Sequence, residues 1–267
     1  MHPVKLIVFF KMVYLNYRYQ TSIMKRSFYI IIFITLHSCS EIKTKKNSQI
    51  TPVTYIENAP TLDGQPIENF WNLLEWQPID QNWIGGPYNH DDYNGKYKIA
   101  WNEDGLYLLL EITDDTLTDQ TKDPLQLWWN DDCVIVYIDE DNSGGLHRFT
   151  HNAFTYHVAL DGNVVDLGLN EEPTLYNEHI VSRHTTKGTT TYWEMKVKVF
   201  PGMYNDDPTI KPVVLSEGKR IGFALAYADN DNSQERENLI GSVFVAGEDK
   251  NQGWIDANVF GTLQLMK

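Results

Sequence analysis

From Pro52 onward, apolar residues recur in short runs separated by Gly, Asn, Asp and Pro, at the spacing of a sandwich or jelly roll rather than of helices. Tyr192–Val199 alternates Trp193, Met195, Val197 and Val199 with Glu194, Lys196 and Lys198, which predicts one buried and one wet face. Cys133–Ile138 is almost wholly apolar and reads as a central strand, with Ile135, Tyr137 and Asp139 on one face and Val134, Val136 and Ile138 on the other. Tyr97–Trp101 and Leu106–Ile112 flank Asn102-Glu103-Asp104-Gly105, a hairpin with a four-residue turn. Ile221–Ala228 and Phe260–Leu265 supply further strands, and Ile67–Leu74 a short helix. No composition shift or internal repeat divides this stretch, so residues 52–267 are expected to form one all-β domain, an antiparallel β-sandwich or jelly roll.

The N-terminal pattern differs. Met24-Lys25-Arg26 precedes the apolar run Phe28–Leu36, nine residues long and well short of the roughly 20 that a spanning helix needs. Leu36-His37-Ser38-Cys39 follows, and the whole resembles a bacterial lipoprotein signal. The expectation is an upstream extension over residues 1–23, a signal peptide over 24–38, and a lipidated Cys39 opening a polar tether over 39–51. That would place the domain at the cell envelope, anchored to the outer membrane and facing the periplasm or the exterior. Cys133, the other of two cysteines, is then left without a disulfide partner.

Charge narrows the partners. The chain carries 36 acidic against 22 basic residues, a net charge of −14, which disfavours nucleic acid and anionic lipid surfaces alike. Asp139 and Asp141 follow one strand and Asp229 and Asp231 another, in loops whose alternate hard oxygens suit calcium or else form solvated acidic turns. The histidines show no compact zinc spacing, and no nucleophile or phosphate-loop motif is present, so a binding module is favoured over an enzyme. Eight tryptophans are a surplus. Trp71, Trp101 and Trp193 occupy core positions, whereas Trp129 and Trp254 lie in polar loops. There they either stack on the apolar face of a sugar or plug the end of the sandwich.

Several motifs fall in a familiar order: Pro60-Thr61-Leu62-Asp63-Gly64 with Phe70-Trp71; Ile99–Tyr107 with Thr113-Asp114-Asp115; Trp129–Asp139; and Trp254–Leu263. Together they resemble the family 9 carbohydrate-binding modules over roughly residues 52–267. The resemblance implies a sandwich that grips a terminal sugar between two tryptophans, with calcium serving structure. On that pattern Trp129 and Trp254 are the tryptophans, and Asn251 and Arg236 contact the sugar. Ile135 stands where the family has a glutamate, and His157 where it has an arginine, so the sugar selected is expected to differ. An exported sugar-binding protein working beside glycoside hydrolases is the leading expectation. Two others stay open: a haem-binding electron-transfer sandwich using Met195, Met203, His157 or His184 as axial ligands, and a structural lipoprotein with a degenerate cleft.

Overall fold

A computed structural model describes residues 46–267; the extension, the signal and Cys39 lie outside the described residues. None of the helices among the described residues is long and apolar enough to cross a membrane. The first half of the sandwich is built from β1 (Ile50–Tyr55), β2 (Gln77–Ile79), β3 (Gln81–Ile84), β4 (Tyr93–Asn102) and β5 (Gly105–Asp114). Next come β6 (Cys133–Asp139), β7 (Phe154–Ala159), β8 (Val164–Leu167), β9 (Pro173–Leu175), β10 (Ile180–Lys187) and β11 (Thr190–Val197). The last three are β12 (Arg220–Asp229), β13 (Asn238–Gly241) and β14 (Gly261–Met266).

Hydrogen bonds run through the strands in the order β10-β11-β5-β4-β1-β14-β12-β6-β7-β8-β9. Strand β1 is the seam. It pairs in parallel with β4 on one edge and β14 on the other, while the long hairpin and meander pairs around it are antiparallel. The path folds over there, so that Tyr97, Trp101, Leu108 and Trp193 from one half share a core with Val136, Phe154, Phe223 and Leu263 from the other. This is an all-β sandwich, as the sequence pattern predicts, although the two parallel pairings of β1 make its sheet mixed and not wholly antiparallel as expected.

Period-two alternation accounts for most of the packing. Trp193, Met195 and Val197 are fully buried, and Trp71 and Trp101 are core as expected. The expected helix at Ile67–Leu74 is a single 3-10 turn, Asn69–Leu73, which lays Trp71 over the outer face of β4 and β5 against Ala100, Tyr107 and Leu109.

Three expectations need correction. The hairpin turn has two residues rather than four, because Asn102 pairs with Gly105 and the Asn102 Oδ1 accepts the Asp104 N–H at 2.9 Å. The tether does not extend through Thr51: the Asn47 side chain donates to the carbonyls of Phe244 (3.0 Å) and Val259 (3.1 Å), and β1 begins at Ile50. Glu194 is not wet but completely buried. The Pro60–Gly64 loop covers it, and Glu194 Oε2 accepts the backbone N–H groups of Asp63 at 3.1 Å and Gly64 at 2.9 Å. Alternation along one strand says nothing of a distant loop that lies over the strand.

Gly64 makes that cover possible. Its φ of +74° favours glycine, and a Cβ there would stand 2.6 Å from the backbone carbon of His184. Gly64→Ala should therefore lower the unfolding free energy by about 1–3 kcal/mol, read as a shift in the denaturant midpoint at constant slope.

Candidate functional site

Strand β6 is buried along its whole length, and its outward residues Ile135 and Tyr137 form the floor of a cavity of about 390 Å³. His157 of β7 pairs directly with Ile135 and joins the lining. Trp129, Trp254, Arg236 and Asn251 come from three loops separated in sequence, and all four reach the same cavity. The five residues singled out from sequence are thus brought together.

Local chemistry explains how each loop is held. The loop entering β6 places Trp129 with 37% of its surface exposed, its ring edge-on to Trp128 at 4.5 Å and 88°. Arg236 ties that loop to the one after β12: its backbone N–H donates to Asn130 Oδ1 at 2.9 Å and its Nη1 to the Trp129 carbonyl at 3.1 Å. The Trp254 loop presses onto the floor at Gly253, where a Cβ would meet the Tyr137 ring at 2.8 Å. The Gly253 carbonyl is engaged by His147 Nε2 at 2.9 Å and by the Thr155 hydroxyl at 3.4 Å.

Sequence reasoning missed part of the lining. Arg148 lies against two rings, its guanidinium carbon 4.4 Å from the Phe149 centroid and 4.6 Å from that of Trp254. Phe149 has a φ of +58°, a left-handed conformation rare for an aromatic residue. No periodic pattern marks a loop residue of this kind. Tyr137 was legible, since it shares Ile135's face by alternation.

The electrostatics are one-sided. Burial foremost, and then Arg236, lowers His157 to about 3, so its ring is neutral. His147 is lowered by burial as well. Asp166 is the one carboxyl in the lining; burial raises it to about 7, and its two oxygens accept from the backbone of Thr155 (2.6 Å) and Leu167 (2.7 Å).

The acidic residues group otherwise than expected. Asp139 and Asp141 belong to no cluster of three metal-ligating residues among the described residues, whereas Asp229 and Asp231 fall into two neighbouring triads. Asp229 joins Asp114 and Asp132, all buried; Asp231 joins the more exposed Asp92 and Asp115. In each triad the ligand oxygens lie within 4.8 Å of one another, the separation that oxygens around one calcium ion show, about 5 Å or less. Burial raises all three carboxyls of the first triad, and among the described residues no ion pair involves them. Such a buried set fits a divalent cation. Asp114 and Asp132 were visible in sequence only as acids at the ends of strands, and nothing local says that the fold joins them.

A model of the family described as "Carbohydrate family 9 binding domain-like" matches residues 62–267. The chain belongs to that family. A family 9 carbohydrate-binding module from Caldicellulosiruptor kristjanssonii, solved with cellotriose, superposes with a TM-score of 0.60 at 18% identity, covering 82% of this chain and 94% of that one. A putative carbohydrate-binding protein from Bacteroides uniformis gives 0.54 at 15% identity, covering 82% and 100%. In sequence the chain is 24% identical over 226 residues to endo-1,4-beta-xylanase A of Thermotoga neapolitana and 23% over 230 residues to exoglucanase XynX of Acetivibrio thermocellus. Each match covers 84% of this chain but only 19% and 18% of those proteins, so the chain spans about a fifth of the length of its curated relatives.

The neutral state of His157 sets a pH dependence. Its folded value lies below that of the unfolded chain, so the unfolded state takes up the proton first and stability falls as pH drops below about 6.5. Between pH 7 and 5 this residue should account for about 2 kcal/mol of the loss. In His157→Gln the difference in unfolding free energy between the two pH values should shrink by that order, whatever the variant's absolute stability.

Proposed function

We propose that this family 9 domain binds carbohydrate without cleaving it, holding the terminal unit of an oligo- or polysaccharide between Trp129 and Trp254. The observation that carries the reading is the convergence of both tryptophans with Arg236, Asn251 and His157 on one open cavity whose floor is Ile135 and Tyr137. The axial C–H groups of a pyranose are apolar and suit an indole face, while guanidinium, amide and imidazole groups supply hydrogen bonds to hydroxyls. His157 Nδ1 donates to the Thr155 carbonyl at 3.2 Å, so the neutral ring keeps Nε2 as an acceptor. Affinity is modest in this scheme, because each hydroxyl must be desolvated before it is bound.

The haem alternative has little support: of its four suggested ligands only His157 lines the cavity, Met195 lies in the main core, and Met203 is 88% exposed. Calcium is proposed at Asp114, Asp132 and Asp229, where it would supply positive charge among buried carboxyls and fix the loops they belong to. Lipid attachment at Cys39 and work beside glycoside hydrolases at the cell envelope complete the proposal.

Titration of the chain with glucose, cellotriose and xylobiose tests the site. Trp129→Ala and Trp254→Ala should each weaken binding about tenfold or more, about 1.4 kcal/mol per decade. Unchanged affinity in both would favour a degenerate cleft. For the metal, a chelator should lower Tm and added calcium restore it, a response that Asp229→Asn should largely abolish. Equal Tm with chelator and with calcium would remove the ion from the scheme.

A further inference from the structure

The cavity lining carries two arginines, and among the described residues neither is paired with an acid. Arg148 and Arg236 both reach it, and among the described residues neither lies within 4.0 Å of a carboxylate, in a chain whose net charge is −14. Acids outnumber bases 36 to 22, so two guanidiniums left without acidic partners in one cavity run against the composition. The other lining groups do not pair with them. Ile135 is apolar, the one carboxyl, Asp166, is committed through both oxygens to backbone donors, and the two histidines carry no acceptor charge.

The placement of Arg148 matters most. Its guanidinium carbon lies within 4.6 Å of the ring centres of both Phe149 and Trp254, which holds the group beside the cavity's tryptophan. Among the described residues its N–H groups make no hydrogen bond within the protein. A guanidinium fork held in this way matches two oxygens of one anionic group, and such charge-assisted pairs are roughly twice as strong as neutral hydrogen bonds. Arg236 commits one Nη to the Trp129 carbonyl and keeps the rest of its donors. Arg148 lies 4.6 Å from the centre of the Trp254 ring, so a ligand held at that tryptophan is brought close to its charge.

We infer that the cavity selects an acidic saccharide unit, a carboxylate- or sulfate-bearing sugar, with Arg148 and Arg236 as the residues that read the negative group. The inference rests on the carbohydrate reading above and narrows its ligand class. Tryptophan faces then hold the ring, and the two arginines decide which ring is held.

The test is titration of the full chain with cellobiose, with cellobiouronate and with a 6-sulfated cellobiose, at low salt and at about 0.5 M, where the screening length falls to a few ångströms. At low salt at least one acidic disaccharide should bind about tenfold more tightly than cellobiose, and the advantage should shrink as salt rises. Whichever acidic sugar shows the larger advantage identifies the anion. Arg148→Gln should bring the acidic-to-neutral affinity ratio close to one, and Arg148→Lys should keep part of it, with Tm in both variants near that of the parent because Arg148 is exposed. Equal affinity for all three sugars, or a ratio that Arg148→Gln leaves intact, overturns the inference while leaving sugar binding in place. Heat from none of the three overturns it together with the carbohydrate reading.

Discussion

Strand β6 must satisfy two apolar surroundings at once, and the rest of the molecule is arranged to let it. Its inward residues Val134, Val136 and Ile138 fill the main core, while Cys133, Ile135 and Tyr137 on the other face sit in a second cluster with Trp83, Leu239, Val243 and Phe260. A strand of an antiparallel sandwich ordinarily turns one face to water. Here that face is roofed by loops, and the gap the loops leave over Ile135 and Tyr137 is the cavity. Site and core are therefore the two sides of one strand.

The roof depends on polar groups that are themselves buried. Asp132 accepts the backbone N–H groups of Thr118 (2.6 Å) and Asn230 (2.8 Å), and Asn230 in turn donates to the Asn130 carbonyl at 2.8 Å. Asn130 then fixes the backbone of Arg236. A short chain of hydrogen bonds thus runs from the buried acidic triad to two lining residues, Trp129 and Arg236. The ion proposed for the triad would share this chain of hydrogen bonds with the cavity wall.

Much of this was legible in the sequence where the information is local. Alternation along β11 and β6 identified buried and outward faces, and the loop tryptophans stood out because their surroundings were polar. Family resemblance added Arg236, Asn251 and His157, which no periodicity marks. Illegible features were of another kind. Glu194 reads as wet because its cover lies 130 residues earlier in the chain. Asp114, Asp132 and Asp229 meet from the end of β5, the residue before β6 and the end of β12, and the contact of Arg148 with Trp254 joins two loops beside a left-handed Phe149. Each depends on a contact between segments far apart in sequence, and composition records none of them.

The seam strand carries one more consequence. Strand β1 runs parallel to β14 through the pairs Ile50 to Thr262 up to Thr54 to Met266. A load applied between the segment entering β1 and the end of β14 pulls the two strands along their own lengths in opposite directions. The ladder is then sheared rather than unzipped, and its bonds must give way together instead of one after another. A domain held by its leading segment while its far end is dragged would resist as a unit, a mechanical property that comes from the direction of a single pairing.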